Sequence, residues 1–284
     1  MWELDWCKDG LRWISVKMEM GGMNQMDKVK SLGIDIGGTF TDVVGFDGDF
    51  FHVATFSTAE VLSQPEILLD LLYKLQPARM TLGIAAWVRR GKILRAPNLP
   101  DFQKLAEIKR LVRFRMVNDA NCFAFYAAHI TGFSNVFAVT LGTGVGSGIV
   151  VNGELYQGCG LAGEIGHVYA GGSEKCVCGG IGHLEAFFSG WKIKERFGRE
   201  LSREELLRYE GFDVLCRQVA ATIMILDPEC VAFGGRIASL LESEDFQTGI
   251  EKYLMPEFEP EFVVIKDAHA IAKGAALLAA LGGE

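Results

Sequence analysis

Two stretches about a hundred residues apart repeat one pattern, and this echo restricts the fold more than any other feature. From Ser31 the chain reads SLGIDIGGTFTDVVGFDGDFFHVATF. Short apolar runs are broken by Gly37-Gly38 and again by Asp47-Gly48, which predicts strand, glycine turn, strand, hairpin turn, strand. From Val136 it reads VFAVTLGTGVGSGIVV, then Asn152-Gly153 and ELY, the same order of events. Two such units predict two related α/β lobes, each offering one turn whose backbone N–H groups can hold phosphate oxygens. The hydroxyls of Thr39 and Thr41 lie beside the first turn, and Asp35 on the preceding strand is placed to hold Mg²⁺ through water. A Gly-Gly-Thr turn is commonplace and the Walker pattern is absent, so the nucleotide reading rests on the repetition.

The stretch GEIGHVYAGGSEKCVCGGIGHLE, Gly163 to Glu185, carries a different chemistry. Cys176, Cys178, His167 and His183 are four donors suited to tetrahedral Zn²⁺. A closed four-ligand site leaves no open position for a reacting water, so metal here would be structural. Glu164 and Glu185 flank the ligand set, and clamping it would hold two carboxylates in the fixed geometry that recognition of a polyol requires. The plainer alternative is two buried free thiols and a satisfied core histidine; clustering of all four within this span favours metal.

Glu66 to Leu75 has helical spacing and Pro77 ends it; Met80 to Val88 reads as one buried strand, and Ile93 to Leu99 as a strand entering a Pro-rich loop. Asn98 in that loop is a candidate polar contact or simply a turn residue, and Asp101 is expected to cap a helix through Val112. A short strand at Phe114 to Val117 runs into Asn118-Asp119-Ala120-Asn121 and a helix. Asp119 therefore stands where a strand yields to a helix N-terminus, whose dipole favours its ionised form. It reads both as an N-cap and as a general base for a substrate hydroxyl. Cys230 to Gly235 predicts a strand ending at Gly234-Gly235, where a flat ring can approach the backbone. Arg236 to Leu241 is expected to open a helix, Phe262 to Ile265 to be a last strand, and His269 to Leu281 an apolar helix.

The chain has 284 residues, room for one large or two medium domains. Its 28 basic and 36 acidic residues give a net charge of −8, which offers no footprint for nucleic acid. No apolar run is long enough to span a membrane, and seven scattered cysteines argue for a reducing, cytoplasmic compartment over a disulfide framework. Residues 1–27 hold Trp2, Trp6 and Trp13 without a clean period and read as an extension too short and too weakly basic for a helix-turn-helix.

The ordered motifs GIDIGGTFTD, VNDANCFA, LGTGVGSGIVVNGELYQGCGLAGEIGH, CVCGGIGHLEAFFSG and VAFGG resemble the ROK family of sugar kinases and sugar-responsive repressors, from about Ser31 to the C-terminus. The resemblance implies a two-lobed ribonuclease-H-like α/β fold of the actin and hexokinase type, with a cleft between an N-terminal lobe (28–118) and a C-terminal lobe (119–268). A last helix (269–284) would pack back on the first lobe. It implies ATP against Gly37, Gly38, Thr39 and Thr41 on one side and Gly142, Thr143, Gly144 and Gly146 on the other, with adenosine near Gly234 and Gly235. Asn118, Asp119, Glu164, His167 and Glu185 match positions that contact the hexose, Asp119 matching the catalytic base, and a homodimer is expected. The sequence departs from the family at His183, where a zinc cysteine is usual, in a shorter segment before Asp119, and at Ala85-Ala86-Trp87, where a glycine-proline loop is common. The implied activity is phosphorylation of a hexose or amino-hexose by ATP; a sugar-sensing regulator and an actin-like ATPase are the competing classes.

Overall fold

The computed structural model describes residues 29–97, 99, 102–105 and 112–281. The expected extension, Asn98, and the cap at Asp101 with most of its helix lie outside the described residues.

Two five-stranded mixed sheets organise the chain. The first is built from β1 (Ser31–Ile36), β2 (Phe40–Phe46), β3 (Phe50–Ser57), β4 (Arg79–Ile84) and β7 (Arg115–Asn118), in the order β3-β2-β1-β4-β7. The second is built from β8 (Val136–Leu141), β9 (Val145–Val151), β10 (Glu154–Tyr156), β11 (Cys230–Gly234) and β12 (Glu261–Val264), in the order β10-β9-β8-β11-β12. Each opens with an antiparallel meander through a glycine turn and then adds two parallel strands on the other side of its first strand. The internal echo in the sequence is thus an echo of topology. Asn152 and Gly153 both take positive φ, as the tight hairpin predicted there requires.

The helices follow their apolar spacing. α1 (Thr58–Ser63) and α2 (Glu66–Leu75) pack Val61, Leu68 and Leu72 with Leu32, Ile34 and Ile36 of β1 in one apolar cluster. α3 (Asp119–Thr131) starts directly at the end of β7. α4 (Gly190–Phe197), α5 (Arg203–Arg208), α6 (Glu210–Leu226) and α7 (Ser243–Glu251) surround the second sheet, where Phe137, Phe188, Phe233 and Phe246 are fully buried. α8 (Ala270–Leu281) packs against α3 and against β1, β2 and β4. Its approach is close: a Cβ at Gly33 would lie 2.0 Å from the Ala272 carbonyl oxygen, so β1 admits only glycine there.

Two expectations are corrected. Met80 to Val88 is not one strand: β4 ends at Ile84, and β5 (Trp87–Arg89) pairs instead with β6 (Lys92–Arg95) in a separate hairpin. A tight turn, with the Ala86 N–H donating to the Ile84 carbonyl at 2.7 Å, turns the chain out of the sheet. Arg236 to Leu241 forms only a short 3₁₀ turn at Ala238–Leu240. The helix comes later, at α7, behind a capping box of Glu242 and Asp245. No helix among the described residues is long and apolar enough to cross a membrane.

Candidate active site

One cleft of about 780 Å³ gathers most of the residues singled out by the sequence. Its wall includes Gly37, Gly38 and Thr39 from the first glycine turn, Gly142, Thr143, Gly144 and Gly146 from the second, and Gly235 after β11. Asn118, Asp119, Glu164, His167 and Glu185 share the same hollow. Thr41 does not line it: the residue is fully buried and its hydroxyl is bonded to that of Thr58 at 3.0 Å, with Thr58 donating in turn to the Gly37 carbonyl at 2.8 Å. Gly234 faces the Phe123 ring, where a Cβ would come within 2.3 Å.

The β7–α3 junction positions Asp119. Asn118 is the N-cap, its side chain accepting from the Asn121 N–H at 3.3 Å and donating to the Ala86 carbonyl at 3.1 Å. Asp119 is therefore the first helical residue and not the cap, free to face the cleft with Oδ1 accepting from the Ala120 N–H at 2.9 Å. Desolvation raises its carboxyl to about 6, against the opposing pull of the backbone donors. Asp35, on β1 beneath the first turn, is pushed well above the usual carboxylate range by burial, and further by Asp119 and Asp42. Its Oδ1 is buried without a hydrogen-bond partner. Asp35 is not among the residues lining the cleft; a hydrated cation beneath the turn would give its orphaned oxygen a partner, the observation that favours Mg²⁺ there.

Glu185 and Glu164 are held differently. Oε2 of Glu185 accepts from the Val145 N–H at 2.9 Å and Oε1 from Trp191 Nε1 at 3.3 Å; burial raises its carboxyl. The carboxylate presses so closely on the second glycine turn that a Cβ at Gly144 would lie 2.4 Å from Oε2. Glu164 accepts from Trp87 Nε1 at 2.9 Å, and burial raises it to about 7, with Asp119 and Glu185 adding to the rise against the Trp87 hydrogen bond. Trp87 and Trp191 were not among the predicted site residues; the departure at Ala85-Ala86-Trp87 was the one signal that pointed to the first.

The four proposed metal donors converge. One ligand atom from each of His167, Cys176, Cys178 and His183 lies within 4.8 Å of the other three. Nδ1 of His167 is 3.6 Å from Cys176 Sγ, and Nδ1 of His183 is 3.1 Å from Cys178 Sγ. Tetrahedral bonds of about 2.0–2.3 Å set ligand-to-ligand edges of about 3.3–3.8 Å, so small adjustments close the set around Zn²⁺. His167 turns Nδ1 to the sulfurs and Nε2 toward Glu164, 4.0 Å from Oε2. The β5–β6 hairpin braces this knot from the other side. Arg95 donates to the Cys178 carbonyl and lies over the Trp87 ring, whose edge contacts His167.

Known proteins resemble this chain over most of its length. The chain is 30% identical to an N-acetylmannosamine kinase of Escherichia coli O157:H7, over 88% of this chain and 98% of that protein. It is 27% identical to a glucokinase of Thermotoga maritima, over 90% of this chain and 97% of that protein. In structure it is similar to a ROK family glucokinase from Streptomyces griseus in complex with glucose and AMPPNP, with a TM-score of 0.70 and 23% identity over 89% of this chain and 99% of the other. The sequence model of the ROK family matches residues 31–281, and the chain belongs to that family, with the actin-like ATPase fold of its sugar kinases.

Proposed function

We propose that this ROK-family sugar kinase transfers the γ-phosphoryl group of ATP to a hydroxyl of a hexose or amino-hexose, the 6-hydroxyl foremost, with Asp119 as the base. The observation that carries the reading is the single cleft in which Asp119 stands with both glycine turns and with the Glu164–His167–Glu185 group. The relatives named for glucose and N-acetylmannosamine support the substrate class.

Asp119 takes the hydroxyl proton as the sugar oxygen bonds to phosphorus and the bond to the ADP oxygen breaks. A carboxyl near 6 is mostly ionised at neutral pH, and a loose transition state asks little of its base. The N–H groups of the two turns orient the phosphates, while Glu164 and Glu185 accept from the sugar's other hydroxyls. Asp35 would hold Mg²⁺ through water, and the ion supplies charge neutralisation on the phosphate oxygens. His167, Cys176, Cys178 and His183 would hold structural Zn²⁺, which fixes the loop bearing the two glutamates. On this reading 28–118 and 119–268 are lobes that close over the sugar and exclude water, with the C-terminal helix docked on the first.

The test is ADP release by the purified protein with glucose, mannose, fructose, glucosamine and the N-acetylated amino sugars. Release that depends on one or more sugars, with formation of the sugar phosphate, is expected. Sugar-independent hydrolysis, or sugar binding without turnover, would overturn it in favour of an ATPase or a regulator.

A further inference from the structure

Asp42 on β2, His52 on β3 and His269 just before α8 take no part in the proposed reaction, yet three chain segments bring them to one point. The register explains how. Asp42 pairs with Asp35 across β1–β2 and with Thr55 across β2–β3, so the three side chains share the face on which α8 packs. Strict alternation would send His52 to the opposite face from Thr55. A β-bulge prevents this: Val43 pairs with Ala54 and Val44 with His52, which leaves Val53 as the extra residue and returns His52 to the face of Asp42. The His52 and His269 rings then stack with centroids 4.6 Å apart, and His269 Nδ1 stands 3.5 Å from Asp42 Oδ1.

We infer that Asp42, His52 and His269 form a second metal site, for a borderline divalent cation of the Zn²⁺, Co²⁺ or Ni²⁺ type, that fastens the β2–β3 hairpin to the start of α8. One ligand atom from each residue lies within 4.8 Å of the other two. Two imidazoles with one carboxylate, and the remaining positions open to water, select such ions over Mg²⁺ or Ca²⁺. The surroundings are those of a metal site. Thr55 donates its one hydroxyl proton to Asp42 Oδ1 at 2.5 Å, so at 2.9 Å it can only accept from His52 Nε2; that contact fixes the ring and leaves Nδ1 as the nitrogen for a metal. Nδ1 of His269 is buried and makes no hydrogen bond. A cation shared with Asp42, at the nitrogen edge of the stacked rings, gives that nitrogen a partner. The inference is independent of the kinase reading, since no residue of the cleft contributes a ligand.

Titration of the metal-stripped full chain with Co²⁺ tests it, because thiolate-to-cobalt absorption marks the Cys176–Cys178 knot and is silent for a nitrogen and oxygen site. Wild type is expected to take up one equivalent with the thiolate band and a second without it. In a Cys176→Ser/Cys178→Ser chain the second uptake should persist. In His52→Ala, an exposed position whose change leaves the fold intact, it should vanish while the thiolate band is unchanged; His269→Gln serves as the second variant. Uptake of a single equivalent by wild type, or undiminished second uptake in both histidine variants, would overturn the site.

Discussion

Trp87 Nε1 donates to Glu164 Oε2 at 2.9 Å, joining a hairpin inserted between β4 and β7 of the first sheet to the loop that follows the second meander. On the proposed assignment the carboxylate is thus aimed before any sugar arrives. Trp87→Phe keeps an aromatic edge near His167 and removes the donor. A hydrogen bond to a charged group contributes about 1.5–3 kcal/mol, so kcat/KM for the sugar should fall about 10–100-fold, mostly through KM. Steady-state kinetics at saturating ATP check this, with KM for ATP expected to stay within about twofold.

Asp119→Asn retains the side-chain oxygen that accepts from Ala120 but cannot take a proton. We expect kcat to fall about 10²–10⁴-fold while sugar affinity by calorimetry is nearly unchanged. Turnover within about tenfold of wild type would place the base elsewhere.

The same carboxyl sets a pH dependence. Burial, its largest cause, raises Asp119 to about 6, and burial with Asp119 and Glu185 nearby raises Glu164 to about 7. On the proposed roles both act as anions, so kcat/KM should rise with pH through about 6 and 7 and level off above. Glu164→Gln should remove the upper ionisation and leave the lower one, which a pH–rate profile of both proteins reads directly.

Asp35 is a stability liability that the proposed role in holding Mg²⁺ would account for. Its folded pKa is raised, so its contribution is most favourable at acid pH and is lost as pH climbs through the folded value. Asp35→Asn should therefore melt higher than wild type at neutral pH in metal-free buffer, by about 2–4 °C per kcal/mol relieved, while losing most phosphoryl transfer. A lower melting temperature in calorimetry would show that the buried carboxylate is paired.

Chelation, or Cys176→Ser, should lower the melting temperature by several degrees and weaken sugar binding more than nucleotide binding. Glu164 and Glu185 flank the knot, whereas Gly37 and Gly38 stand apart from it. Protein purified without added metal and lacking zinc, with unchanged melting in chelator, would remove the knot from the site.

Much of this was legible because its signals are local. Gly37-Gly38, the Gly142 to Gly146 turn, the strand-to-helix step at Asp119 and the His167–Cys176–Cys178–His183 spacing each lie within one short window. What escaped depends on residues far apart. The uniformly apolar run from Met80 has no period to announce the break at Ala85, and Trp87 meets a partner 77 residues away. Thr41 reads like Thr39 in sequence, but Thr39 stays in the glycine turn while Thr41 belongs to β2 and is buried against Thr58. The bulge at Val53 breaks the very alternation by which His52 would be assigned a face.

Glu185 has one oxygen on the Val145 N–H, in the frame of the phosphate turn, and borders the hollow assigned to the sugar. On the proposed assignment the two ligands are thermodynamically linked: whichever docks first settles the same carboxylate for the other, and detailed balance makes the gain equal in both directions.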